Sequence, residues 1–228
     1  MTPYDNTLDR LSINPRSQAF EKFISGMYLG EITRHILVSL VDAAPLGLVF
    51  SGKATEALNS QWGLDSSVMS GIESAWMDDM AHTRGDDREI PKFSEFDDEK
   101  LTACVRRRLE RIKNVIVKSL GYAEGDVSLR DAAVRRGNLS LRSFTYLYFS
   151  TKIARWICSL VARRGALLSG VAVAAVMIQT GRASLPQDRP RVAAGQAHDD
   201  KKIIVGVDGR WVYCILTAQS IHFELLSA

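Results

Sequence analysis

Between positions 14 and 42 the apolar residues Phe20, Phe23, Ile24, Met27, Ile32, Ile36, Leu37 and Leu40 recur at three- and four-residue spacing, which commits the segment to an amphipathic helix. Asn14-Pro15 supplies a cap and a proline suited to the first turn, so one helix is expected from there to about Asp42. Gly26 and Gly30 lie inside it. Each glycine costs a helix interior roughly 1 kcal/mol relative to alanine, so a second backbone or a ligand is expected to approach closely there.

Helical pattern continues downstream. Val68, Ile72 and Trp76 form one face of a short helix opening near Asp65-Ser66-Ser67. A polar, mostly acidic connection follows over 78–99, and Asp97, Asp98 and Glu99 suit the positive end of a further helix. Its buried stripe reads Leu101, Val105, Leu109, Ile112, Ile116 and Leu120, with Gly121 as its stop. Arg106-Arg107-Arg108, with Arg111 and Lys113, can be read as a phosphate-binding patch, but on an amphipathic helix it reads first as the solvated face. Another helical start is expected over 128–135, and a long apolar helical stretch over 153–178. A proline-containing polar loop over 185–200 precedes a buried strand at 203–207 that enters the turn Asp208-Gly209. The expected map is predominantly helical with a few strands.

The run 165–178 is the most apolar of the chain, but it falls short of the roughly twenty residues that cross a bilayer. Arg163-Arg164 before it and Gln179-Thr180-Gly181 after it end the pattern, so it reads as a buried core helix and no membrane span is expected. At 228 residues, with 46% hydrophobic content and a net charge of +3, the chain suits one large domain or a piece of one. Acids interleave with the basic residues, which gives no reason to expect a nucleic-acid partner. Three scattered cysteines and four histidines form neither a disulfide framework nor a zinc pattern, and the first ten residues hold no secretory signal. A cytosolic setting is expected.

Three places can carry chemistry. Gln18 and Glu21, three residues apart on one helical face, can share the hydroxyls of a polyol, although spacing alone favours a plain surface pair. Ser66, Ser67, Val68, Met69 and Ser70 open a helix and can present amides and hydroxyls to a phosphate, or simply cap it. Val205 to Gly209 is a strand and tight turn whose backbone can meet a nucleotide, a common arrangement on its own.

Asn14-Pro15, Gln18, Phe20-Glu21-Lys22 and the stretch from Ile24 to Glu31 resemble the hexokinase family's segment NPxxQxFEKxISGxYLGE. The similarity continues through Ser51 to Thr55, Gln61 to Asp65, Ser67 to Ser70, Arg108 to Arg111, Ser128 to Ala133 and Val205 to Gly209, and points to the fungal glucokinase branch. The resemblance implies an α/β fold of the ribonuclease-H-like, actin-like ATPase type, whose two lobes close over a hexose and ATP with its magnesium. It implies that Glu21 accepts hydrogen bonds from glucose hydroxyls with Gln18 in the same sugar-binding segment. It also implies that Gly26, Met27, the stretch Ser66 to Ser70, Asp208 and Gly209 contact nucleotide. Met27 stands where other members often carry lysine, which removes a direct charge on the phosphates.

Residues 1–209 are thereby expected to be part of the carboxy-terminal large lobe. The family's phosphate-binding glycine loop, small lobe and catalytic aspartate are expected upstream of the stretch with which this chain begins, so no catalytic residue is assigned in it. Segment 137–152 interrupts the helical pattern, and Gly137-Asn138 and Thr151-Lys152 can be encoded by intron donor and acceptor signals. Segment 210–228 departs from the family after Gly209 and can begin on a donor at Arg210-Trp211-Val212. Both are expected to be translated introns, with real but divergent insertions as the alternative. The alternative to a working hexose kinase is a non-catalytic module that keeps sugar or nucleotide contacts.

Overall fold

In the computed structural model the described residues are 1–43, 49–77, 103–123, 126–127, 145–183 and 205. They fold as helices: α1 (Pro3–Leu11), α2 (Ala19–Ile24), α3 (Gly26–Val41), a 3₁₀ turn (Phe50–Gly52), α4 (Glu56–Asn59), α5 (Ser66–Met77), α6 (Ala103–Leu120) and α7 (Thr145–Gln179). No strand occurs among the described residues. The strand expected at 203–207 lies outside them except for Val205, which is exposed and belongs to no element. The acidic connection at 78–99, the helical start at 128–135 and the loop at 185–200 also lie outside them.

α1 follows from a local signal. The Thr2 hydroxyl accepts the Asp5 amide, the Asp5 carboxylate accepts the Thr2 amide, and Pro3 occupies the first turn, a complete capping box. The single helix expected from Asn14 to Asp42 is two, α2 and α3, broken where Ser25 turns extended at ψ 135°. Asn14-Pro15 starts a loop rather than a helix, because side chains from α1 and α2 compete for its backbone. The Asp9 carboxylate accepts the Arg16 amide, and the Lys22 ammonium donates to the Asn14 carbonyl.

The core lies between α3, α5, α6 and α7. Leu29, Ile32 and Leu37 of α3 meet Met69, Ile72 and Trp76 of α5, while Leu109, Ile112, Ile116 and Leu120 of α6 form the expected buried stripe. Gly121 ends α6 at φ +71°, a conformation open to glycine at little cost. The arginine-rich flank of α6 departs from the expectation of a solvated face. Arg107 is exposed, but Arg108 is 0% exposed, with its guanidinium 5.3 Å from the centre of the Trp76 ring. Arg155 of α7 lies over the same ring at 4.1 Å and donates to Glu73 at 2.8 Å, and the Ser159 hydroxyl donates to the other Glu73 oxygen at 3.3 Å. An ionic cluster therefore joins α5 to α7 inside the core.

α7 runs unbroken for 35 residues and includes 145–152, the second half of the segment expected to interrupt the helix. Its first part packs inward through Ile153, Ala154, Ile157, Cys158, Val161 and Ala162. The run 165–178 is not the buried helix expected of it: Leu167, Val171 and Val176 are 52%, 66% and 62% exposed. By length and composition Ile153–Gln179 is apolar enough to cross a membrane. Arg155 and Arg164, however, are engaged by acids of α5 and α1, which ties this helix to the helical core.

Candidate functional site

Gln18 caps α2 from the left-handed region at φ +54°, and Arg16 two residues earlier has φ +63°. Both side chains are exposed, as is that of Glu21 one turn further on. The Gln18 side-chain oxygen accepts from the Asn14 amide, whereas the Glu21 carboxylate makes no hydrogen bond among the described residues. Sequence spacing placed Gln18 and Glu21 together, and the structure keeps them at the start of one short helix with their polar groups toward solvent.

Ser25 begins α3 without a side-chain cap, and its carbonyl accepts the amides of Tyr28 and Leu29 at 3.0 and 3.1 Å. The amides of Gly26 and Met27, the first two of the helix, have no carbonyl to reach within it. Those two donors sit at the positive end of a sixteen-residue helix. Met27 itself is 58% exposed and places no charge there.

Gly30 explains how a second helix start comes close. A β-carbon at Gly30 would collide with the carbonyl oxygen of Leu64 and crowd the Ser66 amide at 3.1 Å. The close approach expected of α3's glycines is therefore made by backbone, at Gly30. The first turn of α5 lies against α3 about 6 Å along the axis from Gly26. At that turn the Asp65 carboxylate accepts the Ser67 amide at 2.7 Å, and the Ser70 hydroxyl donates to the Ser66 carbonyl at 3.2 Å. Ser67 is exposed, Val68 and Ser70 are half-buried, Ser66 is buried, and Met69 is a core residue that receives the Thr33 hydroxyl on its sulfur at 3.4 Å. The structure thus sets the start of α5 against Gly30, one helical turn from Gly26 and Met27, with Met69 buried in the core. Asp208 and Gly209 lie outside the described residues.

Supporting groups that spacing did not single out hold this neighbourhood. Glu31, 1% exposed, accepts Arg34 Nε and Nη2 at 2.8 and 2.6 Å and the Trp62 amide at 2.8 Å. Arg34 Nη1 donates to the Leu58 carbonyl at 2.5 Å. The two side chains clamp the segment before α5 onto α3, and Trp62, held at φ +63°, meets Tyr28 edge-on with ring centres 5.7 Å apart. His35 Nε2 lies 3.3 Å from the same Glu31 carboxylate. Burial pushes the imidazole below its ordinary value; Glu31 opposes that shift and Arg34 adds to it. The only sequence signal for the clamp is the i, i+3 spacing of Glu31 and Arg34.

Among the described residues no group of three or more metal-ligating side chains could hold a metal ion. The chain's fit to a nucleotide rests on donors: the two leading amides of α3 and the polar first turn of α5 can donate to anionic oxygens.

Comparison with known proteins gives these features a family. The family described as hexokinase matches residues 1–118 and 135–221. Hexokinase-2 of Homo sapiens is 29% identical over 208 residues, 91% of this chain and 15% of that protein. Hexokinase-3 of Mus musculus is 48% identical over 73 residues, 32% of this chain and 8% of that protein. A hexokinase of Emericella nidulans is 47% identical over 73 residues, 32% of this chain and 15% of that protein. Among solved structures, a Schistosoma mansoni hexokinase complexed with glucose superimposes with a TM-score of 0.50 at 21% identity, over 80% of this chain and 29% of that one. That likeness places the helices in the hexokinase fold, which is actin-like. The chain spans less than a third of the length of each of these proteins. Matched in sequence over most of its length and in fold over its described helices, the chain belongs to the hexokinase family.

Proposed function

We propose that this chain supplies the hexose- and nucleotide-facing surface of an ATP:hexose 6-phosphotransferase of the fungal glucokinase branch, with glucose as acceptor, working in the cytosol. One observation carries the reading. The exposed pair Gln18 and Glu21 sits immediately before the uncapped start of α3, and Gly30 holds that start against the start of α5.

Glu21 accepts hydrogen bonds from sugar hydroxyls, and Gln18 adds an amide that both donates and accepts. The leading amides of Gly26 and Met27, with Ser67 and Ser70, meet phosphate oxygens. Asp208 and Gly209 are assigned to the same nucleotide. Magnesium-bound ATP supplies the phosphoryl group, and this chain's contribution is orientation of acceptor and donor for in-line transfer.

A second reading is a non-catalytic module with sugar or nucleotide contacts. A coupled assay for glucose 6-phosphate on the purified chain separates the two: turnover excludes the module. A glucose titration followed by tryptophan fluorescence tests binding, and a saturable response that disappears in Glu21→Ala supports the sugar assignment. A flat titration rejects it. The proposal that 137–152 and 210–228 are translated introns rests on codon reading alone; both segments in mature transcript would defeat it.

A further inference from the structure

Six residues make too short a helix to hold itself, yet α2 and its cap carry the two side chains assigned to the sugar. Its entry passes through two left-handed non-glycine residues, Arg16 and Gln18, a backbone course that the surrounding structure must impose. Two side chains do so. The Asp9 carboxylate on α1 accepts the Arg16 amide with its oxygens at 3.1 and 3.0 Å. The Lys22 ammonium, buried to 2% exposure, donates to Asp9 Oδ1 and to the Asn14 carbonyl, both at 2.7 Å.

Lys22 therefore reaches back from α2 to α1 and to the loop's first residue, while Asp9 holds the middle of the loop. Their bonds tie down the loop just before Gln18 and lie on the side of α2 away from solvent. Glu21, the chain neighbour of Lys22, points outward. Lysine is seldom buried to this extent without a partner, and here the carboxylate and the carbonyl leave it paired.

We infer that Lys22 and Asp9 are a positioning pair that sets the direction of Gln18 and Glu21, so that the sugar-facing geometry is decided from α1. The inference rests on the sugar reading above. Neither residue touches the sugar; both act through the loop between them.

The test uses the full chain with glucose as the probe, and compares Lys22→Met, Asp9→Asn, the double variant and Lys118→Met, an exposed control on α6. Amide hydrogen exchange at Arg16 and Lys22 reports the loop, circular dichroism the fold, and fluorescence titration the glucose Kd. Lys22→Met is expected to weaken glucose roughly tenfold while the helical signal is kept, since small misplacements of positioning groups have effects of this order. The double variant is expected to match Lys22→Met rather than to sum the two effects, and exchange at Arg16 is expected to accelerate in all three. Should Lys22→Met fail to fold, Asp9→Asn, which keeps the side chain's shape, decides the matter by the same two readouts. Unchanged glucose Kd in the folded variants overturns the pair's role and leaves the sugar site standing. No saturable response in the unmodified chain overturns the sugar reading and the inference with it.

Discussion

Arg164 on α7 forks onto both carboxylate oxygens of Asp5 on α1, at 3.0 and 2.9 Å, across 159 positions of chain. Asp5 is 2% exposed and also completes the capping box of α1, so one buried carboxylate fastens α1 and α7 together. Arg164→Met leaves that carboxylate without its cation, and a loss of about 2–3 kcal/mol is expected in denaturant unfolding. Burial raises the pKa of Asp5, but the bonds from Arg164 and Thr2 outweigh it and leave it below the ordinary value of 3.8. The pair's contribution is thus complete above pH 3.8 and drains as pH falls through the lower folded value. In Arg164→Met this acid-dependent loss is expected to shrink.

Gly30 and Gly170 make opposite predictions from one residue type. Gly30→Ala drives a β-carbon into the Leu64 carbonyl, which is backbone and cannot rotate away. A cost of about 1–3 kcal/mol is expected, with separation of the α3 and α5 starts and weakened nucleotide binding. Gly170, within α7, has nothing within 4 Å of an added β-carbon. Gly170→Ala is expected to stabilise by about 0.5–1 kcal/mol through helix propensity. Paired unfolding curves check both.

Glu21 and Glu31 stand ten residues apart in one segment and are expected to separate binding from stability. Glu21→Ala removes an exposed carboxylate, so stability is expected to stay within about 0.5 kcal/mol. Glucose binding is expected to weaken by roughly 10- to 100-fold, the loss of a charged hydrogen bond. Glu31→Ala strips Arg34 and the Trp62 amide of their acceptor, and about 3–5 kcal/mol of stability is expected to go. Urea unfolding and glucose titration on the same samples distinguish the two.

His35 is expected to make stability depend on pH near neutrality. Its folded pKa lies below the ordinary 6.5 because burial disfavours the imidazolium, so between the two values the unfolded chain holds more protons. Stability from this group is complete above pH 6.5 and is lost as pH falls toward the folded value. His35→Gln is expected to flatten the unfolding midpoint over roughly pH 5 to 7, the range of histidine titration. An unchanged slope in that variant would assign the dependence to another group.

Amino-acid order alone determined the helices that advertise themselves locally. The stripe of Leu109, Ile112, Ile116 and Leu120 with its Gly121 stop, and the face Val68, Ile72 and Trp76, are periodicities a short window contains. It also marked Gln18 and Glu21, which lie within one turn of each other, and Gly26 and Gly30 as glycines inside a helical pattern. The loop that precedes α2, the burial of Arg108 and the exposure of 165–178 were decided by tertiary structure. Each depends on partners distant in sequence: Asp9 and Lys22 bend the chain before α2, Trp76 gives Arg108 a ring to cover, and α7 outruns the helices that bury its first half. Periodicity records which residues share a face of a helix; whether that face is covered depends on what the rest of the chain brings against it.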